Sequence, residues 1–134
     1  SLSVLHILLA TDADWVVDEV SAALGGPDTT IVVCRDGRDV SPYVTQSTPD
    51  VAVLDLQSGT MGGMAVAMDL RLDESSGRLP HVPILILLDR EADVHLAKRS
   101  GADGWLIKPL NPIRLAKAVN DVAKGLSYSE ALSG

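Results

Sequence analysis

A doubly wound α/β sandwich is the fold class this sequence predicts, on three observations. Five short apolar runs rich in Val, Ile and Leu recur along the chain, segments of helical period lie between them, and acids or a lysine stand where the runs end. Runs that are apolar throughout suit strands covered on both faces, as in a parallel sheet. Their alternation with helices implies right-handed crossovers.

The first run, VLHILLA at 4–10, predicts a strand; it is broken by His6, lacks a cationic lead and stops at TDAD, unlike a signal peptide. Residues 14–24 place Val16, Val17, Val20, Ala23 and Leu24 at helical spacing, and Gly25-Gly26 predict a left-handed stop. TTIVVC at 29–34 predicts the second strand. The third, VAVLDL at 51–56, carries a single acid, Asp55, and leads into a loop with three glycines that keep it open. In 64–74, Met64, Met68 and Leu72 repeat at i, i+4 and i+8, with the methionines expected as core filler. VPILILL at 82–88 predicts strand four, and the stretch 89–105 holds a helix that mixes Val94, Leu96 and Ala97 with Arg90, Lys98 and Arg99. GWLI at 104–107 predicts strand five. Ile113, Leu115, Ala116, Val119 and Val122 mark a last helix over 111–124, with Asn111 as cap and Pro112 in its first turn. The domain is expected over 1–124, with 125–134 as a frayed tail.

Composition narrows the function. The 134 residues are 46% hydrophobic, enough to bury a sizeable core. A net charge of -7 and four scattered aromatics argue against binding nucleic acid, which needs clustered cations or stacking rings. One cysteine, Cys34, permits neither an internal disulfide nor a thiolate metal cage and fits a reducing cytoplasm. No apolar stretch is long enough to span a membrane, so a soluble cytoplasmic protein is expected.

In such folds functional groups collect beyond the carboxyl ends of the strands. That rule brings together Thr11 and Asp12, Asp55, Leu88 and Asp89, and Lys108. Two close carboxylates repel unless a cation neutralises them, and oxygen-only ligation suits Mg2+. Lys108 adds a mobile point charge for a phosphate or a carboxylate. A carboxylate beside a divalent ion and an ammonium is a plausible phosphoryl acceptor.

The chain resembles the receiver domains of two-component response regulators from about Leu5 to about Lys124. The resemblance is carried by LLATDAD, LDLQSGTMGG, PILILL and, most specifically, GADGWLIKPL. It implies a flavodoxin-like five-stranded sheet in the order 2-1-3-4-5, with Asp55 as phosphoacceptor for a histidine kinase. It further implies Asp12, Asp55 and the Gln57 backbone carbonyl as Mg2+ ligands, Lys108 as contact to the acceptor or its phosphoryl oxygens, and a cis Lys108-Pro109 peptide. By the same resemblance, the fourth helix, fifth strand and fifth helix form the surface for homodimerisation or output docking.

Three departures from the family pattern predict an impaired switch. Thr11 replaces the first of two adjacent acids, Leu88 stands where a Thr or Ser hydroxyl is usual, and Trp105 takes the place of the switching Tyr or Phe. Asp89 follows as an added negative charge. The expected function is therefore a receiver whose only chemistry is self-phosphorylation on Asp55. The alternative is an interaction module that works without phosphorylation. A nucleotide-binding relative would need a phosphate-cradling loop after strand one, where ATDADW is acid-lined instead, and an Asp-nucleophile hydrolase would need an acid where Gln57 stands. Asp14 is expected to cap the first helix.

Overall fold

A computed structural model describes residues 4–55 and 62–129. The strands are β1 (Leu5–Ala10), β2 (Thr29–Cys34), β3 (Val51–Asp55), β4 (Ile84–Leu88), β5 (Gly104–Ile107) and β6 (Tyr128–Ser129). The helices are α1 (Asp14–Leu24), α2 (Val40–Gln46), α3 (Gly63–Ser75), α4 (Val94–Arg99) and α5 (Pro112–Ala123). All strands pair in parallel, in the order β2-β1-β3-β4-β5-β6.

Strand alternation divides the core into two layers. Leu8, Ala10, Ala52, Leu54, Ile84, Ile86 and Leu88 face α2, α3 and α4. Ile7, Leu9, Val51, Val53, Leu85 and Leu87 face α1 and α5. Every residue of β3 and β4 is buried, as central parallel strands require. β4 begins at Ile84 rather than Val82 because Pro83 has no N–H for the ladder.

The sheet has six strands rather than the expected five. Tyr128 and Ser129, placed by sequence in a tail, pair with Gly104 and Trp105. Gly104 makes the approach possible, since a Cβ there would lie 2.5 Å from the Tyr128 carbonyl oxygen and 3.1 Å from Val122 Cγ2. Gly104→Ala is expected to cost about 1–3 kcal/mol by overpacking, read as a lower urea midpoint. An unchanged midpoint would show that β6 does not constrain this position.

Three local expectations are corrected. Gly25 is extended at φ -63° and ψ 149°, so α1 ends without a left-handed cap. Asp14 is the first residue of α1, does not cap it, and instead pairs with Arg35. On α3 the buried face is Val66, Ala67 and Leu70, whereas Met68 and Leu72 are 45% and 65% exposed, so Met68 is not core filler. The sequence reading also named no helix at α2, whose seven residues contain Pro42 and bury only Val40 and Val44.

Candidate functional site

The carboxyl ends of β1, β3, β4 and β5 converge on Asp55. Its carboxylate ends β3 only 1% exposed, in a setting where an unpaired charge is costly. The Lys108 ammonium donates to Asp55 Oδ1 at 2.7 Å, and the buried Thr11 hydroxyl donates to Oδ2 at 2.8 Å. Thr11 Oγ1 also accepts the Ala13 N–H at 3.1 Å, so one hydroxyl orients the acid and shapes the turn into α1. Sequence alone marked Thr11 only as a lost carboxylate, and nothing in the residue type foretold that it would bond the neighbouring acid.

Lys108 is held by its backbone as well as its head. Its N–H donates to the Leu88 carbonyl at 2.8 Å, and the Lys108-Pro109 peptide is cis. Asn111 then caps α5, accepting the N–H groups of Ile113 and Arg114. The ammonium also donates to Asp89 Oδ1 at 3.0 Å and lies 5.4 Å from the centre of the Trp15 ring. Burial pulls the lysine pKa down, but hydrogen bonds and charge from Asp55 and Asp89 outweigh it, leaving it raised. Neither the Asp89 ion pair nor the Trp15 cover was foreseen. The signal was an acid at the end of one strand beside a lysine at the end of the next.

The remaining candidates fall as follows. Asp12 is exposed just beyond β1. Gln57 lies outside the described residues. Among the described residues no group of three or more His, Cys, Asp or Glu could hold a metal ion. Asp12 and Asp55 nevertheless offer oxygen donors only, the chemistry a hard ion such as Mg2+ takes, with Thr11 contributing a hydroxyl in place of a third charge. Of the loop glycines, Gly63 is buried as the first residue of α3.

At the two switch positions, Leu88 is fully buried among the α2–α4 layer and brings no hydroxyl. The register confirms its place at the end of β4, opposite Ile107. Trp105 is half-buried against the same layer, with Lys98 Nζ 5.7 Å from its ring centre. Its indole N–H is buried and meets no acceptor among the described residues.

The last specific block, GADGWLIKPL, owes its Gly-Ala-Asp to architecture. Asp103 Oδ2 accepts the Ile84 N–H at 2.8 Å and an Arg71 guanidinium N–H at 2.7 Å. Arg71 also donates to the carbonyls of Val82 and Gly101 at 2.8 and 2.9 Å, tying α3 to both edges of the β4 and β5 openings. Sequence gave no sign of Arg71.

Residues 7–120 match the family described as response regulator receiver domain. The nitrate/nitrite response regulator protein NarL of Escherichia coli K12 is 34% identical over 109 residues, covering 80% of this chain and 49% of that protein. Protein PilH of Pseudomonas aeruginosa is 28% identical over 120 residues, covering 90% of this chain and 98% of PilH. Among solved structures, the chemotaxis response regulator CheY4 of Vibrio cholerae superposes with a TM-score of 0.77 at 25% identity, covering 90% of this chain and 99% of that one. The chain thus spans about half the length of NarL and nearly all of PilH.

Proposed function

From a chain that belongs to the response regulator receiver domain family, whose members interact with histidine kinases and other signalling proteins, we propose a receiver that takes a phosphoryl group on Asp55. The observation that carries this is the buried Asp55 carboxylate with the Lys108 ammonium 2.7 Å away, at the carboxyl end of a parallel sheet. An Asp55 oxygen attacks phosphorus, the bond from phosphorus to the kinase imidazole nitrogen breaks, and that nitrogen keeps the electron pair and takes a proton. Lys108 bears part of the charge that gathers on the transferred oxygens. Asp12, Asp55 and, by the family resemblance, the Gln57 carbonyl would hold Mg2+, which would further neutralise that charge. The chemistry this reading assigns to the chain is phosphoryl acceptance on Asp55.

Intact-mass spectrometry after incubation with Mg2+ and acetyl phosphate tests the reading. Wild type is expected to gain one phosphoryl group and Asp55→Asn none. Equal gain by both proteins would refute it.

A second reading is supported by the switch positions. With Leu88 apolar and fully buried, no hydroxyl there can draw the β4–α4 loop toward a phosphoryl group. Relay of phosphorylation by the hydroxyl and aromatic pair is then impaired, and the domain acts chiefly through contacts that do not require phosphate. The α4, β5 and α5 surface, where Lys98 and Arg99 stand exposed on a chain of net charge -7, is the proposed site for a second copy or an output partner. No helix among the described residues is long and apolar enough to cross a membrane, and a cytoplasmic setting suits a kinase partner.

A further inference from the structure

We propose that Asp89 is a positioning residue that competes with an incoming phosphoryl group for Lys108 and thereby sets how readily Asp55 is modified. This rests on Asp55 being the acceptor. A lysine ammonium has three N–H donors. Among the described residues it has three neighbours: Asp55 Oδ1 at 2.7 Å, Asp89 Oδ1 at 3.0 Å and the Trp15 ring face at 5.4 Å. The side chain is only 11% exposed, which leaves little room for a further contact. A phosphoryl oxygen that approaches this ammonium therefore competes with these neighbours for it.

The three neighbours are not equally easy to displace. Asp55 is 1% exposed at the end of a central strand and is the reacting group itself. Trp15 stands in the first turn of α1 and is 48% exposed, but its apolar ring gains no hydration by turning into water. Asp89 lies beyond β4 with a side chain 38% exposed, so its carboxylate can turn into water and regain hydration there. It is the partner that yields.

Its charge acts in the same direction as its hydrogen bond. Transfer to Asp55 replaces a carboxylate charge with roughly two phosphoryl charges in the same pocket. A second carboxylate beside the same lysine repels that added charge. Asp89 therefore stabilises the unmodified site and disfavours both approach of the anionic donor and retention of the product.

The test measures the rate of phosphoryl uptake from acetyl phosphate with Mg2+ over a range of donor concentrations, in wild type, Asp89→Asn, Asp89→Ala and Asp89→Glu. Uptake at limiting donor is expected to rise on the order of fivefold in Asp89→Asn and Asp89→Ala, chiefly through a lower half-saturating donor concentration. Asp89→Glu, which keeps the charge, is expected to stay near wild type, an outcome that a purely structural role for the residue would not produce. Label on Asp55 at equal rates in wild type and Asp89→Asn overturns the role of Asp89 alone. Absence of label from every protein overturns the acceptor reading, and this proposal with it.

Discussion

Lys108→Met is expected to lower folding stability by about 3 kcal/mol at neutral pH and to abolish phosphoryl uptake. Methionine fills much of the volume of the lysine stem but leaves the Asp55 carboxylate, 1% exposed, without the ammonium at 2.7 Å. It also removes the ammonium that Asp89 and Asp55 share. The cost is that of taking the ammonium away from a buried carboxylate, so it should shrink when the charge goes too. Asp55→Asn/Lys108→Met is therefore expected to be more stable than Lys108→Met alone, a non-additivity that a double-mutant cycle by urea unfolding reads directly. Additive losses would show that the pair is not coupled.

The pH dependence has a definite sign. Burial lowers the Lys108 pKa, hydrogen bonds donated to Asp55 and Asp89 raise it, and the outcome is a value above the ordinary 10.5. A raised folded-state pKa gives stability that is fully present below the unfolded value and is lost as pH rises through the folded one. The wild-type advantage contributed by this lysine should hold through the neutral range and fade only in strong base.

Arg71→Ala is expected to cost about 3 kcal/mol, less than a sum of its bonds because the side chain is 22% exposed. One guanidinium satisfies Val82 O, Gly101 O and Asp103 Oδ2, and Asp103 in turn receives the first N–H of β4. Removing it loosens α3, the start of β4 and the turn into β5 together. Arg71→Lys should recover only part of the loss, because a point ammonium cannot fork to three acceptors at these positions. Thermal unfolding of both variants checks this, and full recovery by lysine would contradict the forked role.

What sequence could show of this fold followed from burial on both sheet faces. β1 through β5 are largely apolar because helices cover them, and their ends mark the site without any knowledge of side-chain contacts. Asp55 and Lys108 were legible for that reason: each is a charged residue ending an apolar run. β6 was not, because two residues pair through backbone groups and leave no periodic trace. α2 was hidden by its brevity and by Pro42. The Met64, Met68, Leu72 repeat misled because α3 buries small residues, Val66 and Ala67 with Leu70, and turns Met68 and Leu72 outward.

The site itself shows a similar division. Residue types at strand ends are written in the sequence, while hydrogen bonds between strand ends depend on how the sheet twists and where loops settle. Hence Thr11 was read as a missing acid and proved to be a donor to Asp55, and Asp89 was read as a stray charge and proved to share Lys108. Leu88 ends β4 opposite Ile107, where its apolar side chain is fully buried.

The central claim is that a phosphoryl group forms an acyl phosphate on Asp55, and chemical trapping tests it most directly. Borohydride reduction after exposure to acetyl phosphate and Mg2+ cleaves an aspartyl phosphate and leaves homoserine, which peptide mapping assigns to a position. The account predicts homoserine at position 55 and at no other aspartate. Homoserine elsewhere, or none from a protein that carries phosphate, would contradict it.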